Sequence, residues 1–214
     1  AALALQGAVT GTLAATATTG GITDSSNLSA TGNVTLTDGA TAGITLDTLE
    51  ADANVILTAA GNTAITNDAA LALQGAVTGT LAATATTGDI TDSDTLTVSG
   101  ASVFTLGADG SNIILDSAAN AFSGAVTLKA GSSGIQTFGN IVFVDSGAID
   151  FDSAASADGD LFLDGGTDNT VGGTLSVTAT AGGITDSATI AVTGDLTLNA
   201  VSYTHLTLPT RLLV

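Results

Sequence analysis

Two nearly identical segments constrain this sequence more than any other feature. Residues 1–25 and 69–93 agree at 24 of 25 positions, and the single difference is Gly21 in the first copy against Asp89 in the second. Repetition this close predicts a stack of like units, each unable to bury its apolar side chains alone. A stack presents similar surfaces many times, whereas catalysis needs one unique group of residues. The repeat therefore predicts architecture before chemistry.

Apolar residues recur at fixed steps within the copies. Leu13, Ile22, Leu28 and Val34 are separated by steps of 9, 6 and 6. A third, looser copy begins at Gly173, agrees with the first at 12 of 15 positions and repeats the same steps. Three short strands per coil of about 21 to 23 residues, with glycine between them, are typical of a solenoid with three faces.

The offset between the two close copies predicts how the coils stack. The first copy begins at Ala1 and the second at Ala69. This offset corresponds to three coils of about 22 to 23 residues each. We therefore expect Leu13 and Leu81 to lie on the same face. Stacked parallel strands lie about 4.8 Å apart, so residues 1–200 are expected to form about nine coils and a rod roughly 45 Å long.

Alternation within the strands predicts which side chains face the core. Val126 and Leu128 flank Thr127, and this period of two places the apolar pair inward and the threonine outward. The straight-chain helix formers are scarce, whereas Thr, Val and Gly abound, which favours an all-β fold. All six Phe lie in the middle third, where a thicker core is expected: Phe104, Phe122, Phe138, Phe143, Phe151 and Phe162.

Composition excludes several classes of partner. The net charge is −18, which argues against binding to nucleic acid or to anionic lipid. No apolar run approaches the ~18 residues of a membrane span, so membrane insertion is not expected. The absence of Cys suits passage through an oxidising compartment. The absence of Met leads us to expect an internal fragment of a longer protein.

Residues 201–214 differ in composition from the rest of the chain. They contain the only Tyr, the only His, the only Pro and one of two basic residues, namely Tyr203, His205, Pro209 and Arg211. Residues 201–210 also resemble the translation of a transposase-type sequencing adapter. We therefore expect two regions, a β-helix repeat region over 1–200 and a non-native tail over 201–214 that contributes no coil.

The repeat region resembles the filamentous-haemagglutinin-like family of bacterial surface exoproteins and its β-strand-repeat relatives. The resemblance rests on Gly-Gly-Ile-Thr-Asp-Ser at 20–25 and 182–187, Leu-Thr-Val-Ser-Gly at 96–100, and residues 118–128, and it covers most of residues 1–200. It implies a right-handed parallel β-helix (β-solenoid), secretion to the cell surface, and a role in adhesion or as a rod that holds adhesive domains outward.

Residues 1–200 offer few groups for catalysis. They contain no His, Cys, Tyr, Trp or Arg, and the single Lys is Lys129. A serine or threonine nucleophile needs a base to activate it. What remains is a set of acidic residues, which could in principle act as an acid–base pair in a polysaccharide-cleaving β-helix: Asp145, Asp150, Asp152, Asp158, Asp160, Asp164 and Asp168. Aspartate at turns is the commoner role, so no catalytic residue and no cofactor are assigned.

Two further alternatives stay open from the sequence. The acidic stretch 158–168 is suited to Ca²⁺, which prefers carboxylate and carbonyl oxygens, but Gly165-Gly166-Thr167-Asp168 is a broken form of the calcium-binding nonapeptide, and no metal ligand is assigned. A threonine array of the ice-binding kind is the other alternative, because Thr-x-Thr pairs recur: Thr16/Thr18, Thr35/Thr37, Thr84/Thr86, Thr95/Thr97 and Thr178/Thr180. Such an array needs register from coil to coil.

The sequence thus predicts a non-catalytic structural and adhesive stalk from a large secreted or cell-surface bacterial protein. Its expected partners are host-cell, neighbour-cell or glycan surfaces. Asn112, Asn120 and Asn140 lie near expected turns and are predicted to form amide ladders between coils. Because terminal strands expose unpaired N–H and C=O groups, the isolated chain is also expected to associate end to end.

Overall fold

The computed structural model describes residues 1–130, 137–152, 160–164, 170–187 and 189–201. Within these ranges no helix is long and apolar enough to cross a membrane. The strands, in chain order, are β1 (Leu3–Val9), β2 (Leu13–Ala17), β3 (Ile22–Ala30), β4 (Val34–Asp38), β5 (Ile44–Ala51), β6 (Asn54–Ala59), β7 (Thr63–Asn67), β8 (Leu71–Val77), β9 (Leu81–Ala85), β10 (Ile90–Val98), β11 (Ser102–Leu106), β12 (Ile113–Leu115), β13 (Ala121–Phe122), β14 (Val126–Ala130), β15 (Ile141–Asp145), β16 (Ile149–Phe151), β17 (Asp160–Asp164), β18 (Thr170–Val171), β19 (Leu175–Ala179), β20 (Ile184–Asp186), β21 (Ala191–Val192) and β22 (Leu196–Ala200).

Two sheets of parallel strands run along the molecule. Sheet A has the order β1-β3-β5-β7-β9-β11-β14-β17-β16-β20, and sheet B has the order β2-β4-β6-β8-β10-β12-β15-β19-β22. The short β13 pairs with β10, and β18 pairs with β21. The chain passes alternately through the two sheets, so its strands stack in about nine turns. This confirms the predicted all-β parallel solenoid.

The three apolar segments predicted for each coil are present, but two of them often belong to one strand. In the pairing of β1 with β3, Leu5 lies beside Asp24 and Gly7 beside Leu28, so the register breaks inside the longer strand. The exposed residues 25–27 lie in that break.

Turn length also varies more widely than the sequence predicts. A short turn carries the chain from Thr63 to its register partner Leu81. The turn from Ile141 to its partner Leu175 is nearly twice as long. Coil length is therefore not constant along the stack.

The prediction that Leu13 and Leu81 share a face is wrong. Leu13 begins β2 in sheet B, whereas Leu81 begins β9 in sheet A. The cause is a change in strand lengths, because the two short strands β6 and β7 follow one another where earlier turns alternate a long and a short strand. The offset between the two close copies is therefore three and a half turns. In the third copy, Leu175 begins β19 and has returned to sheet B.

One apolar cluster fills the space between the sheets along the described stack. Val126 and Leu128 are buried, as predicted. The expectation that Thr127 is exposed is wrong, since its exposed fraction is only 8 %. It lies between Val103 and Phe162 on the neighbouring strands, and these larger side chains flank it on the outer face of sheet A.

The Phe residues thicken the core in the later turns, as predicted. The rings of Phe104 and Phe122 meet edge to face with centroids 5.9 Å apart, and those of Phe122 and Phe143 stack at 5.2 Å. Such geometries add to the free energy gained from burial. Phe162 is the exception among the six, because it lies on the outer face and is half-buried.

Sheet A contains a strand out of chain order. Although β16 precedes β17 in the chain, β17 lies between β14 and β16 in the sheet. Leu161 accordingly pairs with Val126 on one side and with Phe151 on the other. The path of sheet B gains no corresponding strand at this level of the described stack, so the two sheets differ in strand number along the same part of the molecule.

Candidate functional site

The recurring Ile-Thr-Asp-Ser motif places an aspartate at the break in the long strand. In the first copy, Asp24 reaches the next turn, where its Oδ1 accepts the N–H of Asp47 at 3.0 Å. Its Oδ2 accepts both the N–H of Thr48 at 2.7 Å and the Thr48 hydroxyl at 2.8 Å. The carboxylate therefore satisfies two backbone donors that the irregular strand leaves without ladder partners.

The second copy repeats this arrangement in the other sheet. Asp92 accepts the N–H of Asp116 at 3.0 Å and that of Ser117 at 2.9 Å. It also accepts a hydrogen bond of 2.6 Å from the side-chain amide of Asn120, whose Oδ1 in turn accepts the N–H of Leu96. The motif thus joins one turn to the next, in whichever sheet it lies.

Electrostatics fits this role for the first copy. Partial burial raises the pKa of the Asp24 carboxyl, but the hydrogen bonds from the Asp47 N–H and from the Thr48 hydroxyl and N–H outweigh it, so the net pKa is lowered. A carboxyl with a lowered pKa is an acceptor at neutral pH. It is therefore a poor general acid, which would need a raised pKa.

A polar ladder follows the corner before the sheet B strands of the later turns. Asp89 accepts the N–H of Asn112 at 2.7 Å and its side-chain amide at 3.0 Å. Asn112 accepts the N–H of Asn140 at 2.6 Å, and Asn140 accepts that of Thr174 at 2.9 Å. This confirms the predicted ladder for Asn112 and Asn140. Asn120 lies in a different column, buried and bonded to Asp92.

Several buried polar side chains satisfy the backbone at other corners. Asp38 is 1 % exposed and accepts the N–H groups of Ala40 and Gly43, which is the local turn role expected of aspartate. Asn67 is fully buried and bonds the N–H and C=O of Ala51. These contacts bind the chain to itself rather than to a ligand.

Asp145 is the most buried of the described acidic residues singled out from the sequence. It is 3 % exposed, and its Oδ1 accepts the N–H of Phe122 at 2.8 Å. Burial raises the pKa of the Asp145 carboxyl, and hydrogen bonds from the N–H groups of Phe122, Gly147 and Ser146 only partly oppose this. A raised carboxyl pKa is typical of an acid catalyst, but this carboxyl faces backbone donors in the interior rather than a cleft.

The other described acidic residues lie around the out-of-order strand. Asp150 and Asp160 are register partners in β16 and β17. On the far side of β17, Asp164 forms an ion pair of 3.5 Å with Lys129. Both ends of that pair are more than one-third exposed, so it contributes little to stability.

The calcium alternative falls partly on residues that the structure does not describe, since Asp158 and Asp168 lie outside the described ranges. Within those ranges, no three His, Cys, Asp or Glu side chains are close enough together to hold a metal ion. The calcium site stays a prediction.

Threonines do align on the outer faces over short distances. Two columns of three are in register: Thr16, Thr37 and Thr58 in sheet B, and Thr66, Thr84 and Thr105 in sheet A. A second column beside the first does not form, because Thr35 lies between Ala14 and Ile56. The arrays are therefore one residue wide and lie on two different sheets.

Sequence reasoning placed the motif aspartates at turns but did not predict that they bond to the following turn. The signal was present, because Asp24 and Asp92 occupy the same place in two copies, directly after the start of a strand. A repeated polar residue inside a predicted strand indicates a contact between turns rather than a local one.

Comparison with known families gives three consecutive matches along the chain. A family model described as Repeats of unknown function (DUF5649) matches residues 1–60, 60–129 and 138–210. The third match extends into the segment 201–214, so it crosses the predicted start of the non-native tail, which stays a prediction. No curated protein and no solved structure gives a significant match.

Proposed function

Because the chain belongs to this family of repeats of unknown function, we propose that residues 1–200 serve as a non-catalytic stalk with adhesive faces, in a large secreted or cell-surface bacterial protein of the filamentous-haemagglutinin-like kind. One observation carries the proposal. The acidic groups of the repeated motif, Asp24 and Asp92, are engaged in holding one turn to the next. A chain that uses its repeated carboxylates in this way is built for stiffness along its length.

The shape of the core supports the same role. The apolar cluster continues through the described stack, and most of its members are nearly inaccessible to solvent. Parallel strands that pair on both edges resist shear along the axis, because many hydrogen bonds must break together. The outer faces carry threonine, serine and aspartate, which keep such a rod in solution and offer hydroxyl and carboxylate groups to host-cell, neighbour-cell or glycan surfaces.

Single-molecule pulling tests the mechanical part of the proposal. Asp92→Ala removes the bonds to Asp116 and Ser117 and should lower the unfolding force of the chain. Asp94→Ala is the matched control, because the Asp94 carboxylate accepts the N–H of the adjacent Thr95 and so makes a local contact, and the force should be unchanged. Equal forces for the wild type and Asp92→Ala would contradict the proposal.

Adhesion is tested separately. Beads coated with the chain should be retained on bacterial or host cells, or on a glycan array, more strongly than beads coated with unfolded chain. Incubation with a panel of polysaccharides should release no new reducing ends. Release of reducing ends, abolished by Asp150→Asn, would overturn the non-catalytic assignment in favour of the polysaccharide-active alternative.

A second candidate rests on the threonine columns. Thr16, Thr37 and Thr58 stand at successive turns in register, which is the spacing that an ice-binding array requires. Thermal hysteresis and inhibition of ice recrystallisation measure this activity directly. If the chain shows it, and Thr37→Lys abolishes it while Thr84→Lys on the other sheet does not, ice binding replaces adhesion as the proposed function.

A further inference from the structure

Two glycines at the same place in identical strands have different surroundings. Gly7 in β1 and Gly75 in β8 have φ angles of +101° and +113°. A Cβ at Gly75 would lie 2.0 Å from the carbonyl oxygen of Leu57 in β6, so the neighbouring strand requires glycine there. A Cβ at Gly7 would meet no atom within 4 Å among the described residues. The first turn thus has the form that accommodates a neighbour on this side.

A second pair of glycines repeats the observation. A Cβ at Gly79 would lie 2.5 Å from the Oδ1 of Asn62, which accepts the N–H of Thr80 from the following turn. At Gly11, the equivalent position, a Cβ would again meet nothing within 4 Å in the described part of the chain. Both β1 and β2 therefore present an edge whose interior equivalent is closely covered by another turn.

Apolar side chains show the same difference. Leu71, Leu73, Val77 and Leu81 are each at most 1 % exposed. Their equivalents in the first turn are only partly buried: Leu3, Leu5, Val9 and Leu13. Toward the other end of the described stack, Leu196 in β22 is 40 % exposed although its position in the alternation is inward.

From these observations we propose that the first turn, Leu3–Ala17, is a binding surface for a second copy of this chain, which docks its last described turn end-on through β22. The interior pairs β6 with β8 and β7 with β9 are the template for this contact, because they show what an identical pair of strands accepts on the same edge. Parallel ladder bonds and burial of Leu196 against the first-turn leucines stabilise it.

Charge sets the conditions for assembly. Each copy carries a net charge of −18, so two copies repel one another at low ionic strength. The Debye length falls to about 8 Å at physiological ionic strength, which screens most of this repulsion while apolar burial is unaffected. Association should therefore increase with salt, which is the reverse of what an interface built from ion pairs shows.

Sedimentation velocity of the full chain, over a range of concentration and salt, tests the proposal. The wild type should exceed its monomer mass of 20.4 kDa as both rise. Leu196→Lys at one end and Leu5→Lys at the other should each weaken association about tenfold or more, equivalent to about 1.4 kcal/mol. The control variants Thr197→Lys and Gln6→Lys change charge equally on the opposite faces of the same strands and should associate like the wild type. Thermal melts establish that all four variants are folded.

Mixing the two end variants separates head-to-tail docking from other modes. Leu5→Lys keeps β22 intact and Leu196→Lys keeps the first turn intact, so their mixture should form a dimer and no longer species. A wild type that stays monomeric at high salt and high concentration overturns the proposal. So does equal weakening by Leu196→Lys and Thr197→Lys, which would indicate association through a side face. Neither result bears on the unfolding force measured for Asp92→Ala, so the stalk proposal is tested independently.

Discussion

Asp89 accepts both the N–H and the side-chain amide of Asn112, at 2.7 Å and 3.0 Å, and so begins the polar ladder of the later turns. Its equivalent in the first copy is Gly21, where a Cβ would lie 2.5 Å from the carbonyl oxygen of Gly43. The one position that distinguishes the two copies is therefore the one at which the following turn differs in how close it comes.

Exchanging these two residues should have unequal costs. Asp89→Gly loses two hydrogen bonds, one of them to a backbone donor, and should reduce the free energy of unfolding by about 1–3 kcal/mol. Gly21→Asp should cost more, because backbone rather than a flexible side chain fills the space at Gly43. Urea melts with unchanged m-values measure both. A neutral Gly21→Asp would contradict the close approach of these turns.

Asp145 should make the protein less stable as the pH rises. Its pKa is raised in the folded state by burial, so the folded chain holds this proton more tightly than the unfolded chain. The contribution to stability is therefore greatest below the ordinary value of 3.8 and falls as the pH rises through the raised pKa. Asp145→Asn should gain stability relative to the wild type over that range. Parallel pH profiles for the two proteins would refute this.

Asp24 should show the opposite slope. Its folded-state pKa is lowered, so its contribution to stability is present above 3.8 and is lost as the pH falls below that value through the lowered pKa. The stability advantage of the wild type over Asp24→Asn should be constant near neutral pH and shrink in acid. Denaturant melts at a series of pH values provide the measurement, and an advantage that grows in acid would contradict the assignment.

Two buried hydroxyl groups should be replaceable with a gain in stability. The Oγ1 of Thr63 and the Oγ of Ser102 are buried without a hydrogen-bond partner among the described residues, and both residues pair with Leu81 from opposite sides. Thr63→Val preserves the shape and removes an unsatisfied polar group, so it should stabilise the fold by about 1 kcal/mol. Ser102→Ala should act in the same direction. A loss of stability in both variants would indicate that these hydroxyls are hydrogen-bonded.

Removal of residues 202–214 tests the predicted domain boundary. If the solenoid ends before the tail, the midpoint of thermal unfolding should not change on deletion. A chain shortened instead by its last described strand, Leu196–Ala200, should melt earlier, because it loses the partner of β19. A large drop on removal of the tail alone would show that it belongs to the folded stack, as the family match to residue 210 suggests.

The sequence was sufficient to predict the class of fold because the relevant signals are local. Alternation in a strand such as Val126–Ala130 depends on neighbouring residues, and so does the need for glycine at Gly20, whose φ is +92°. The ladder of Asn112 and Asn140 was likewise predicted from their place near turns. Each of these features follows from a few consecutive residues.

What could not be predicted depends on quantities that add up along the chain. The half-turn displacement of Leu81 arises because the run of β6 and β7 shortens the path, and no single residue records it. The burial of Thr127 depends on Phe162, which lies beside it in β17 although it is distant in the sequence. The target of the Asp24 carboxylate lies in the next turn, so turn length had to be known first.

The displacement by half a turn gives the repeated unit an approximate two-fold screw axis. The Ile-Thr-Asp-Ser motif lies in sheet A at Ile22, in sheet B at Ile90 and in sheet A again at Ile184. One such step advances about 17 Å along the axis, from three and a half turns at about 4.8 Å each. A tract extended by the same steps would carry each surface on both sides, with a spacing of about 34 Å on either side. Such a rod bridges two opposing surfaces as readily as it coats one.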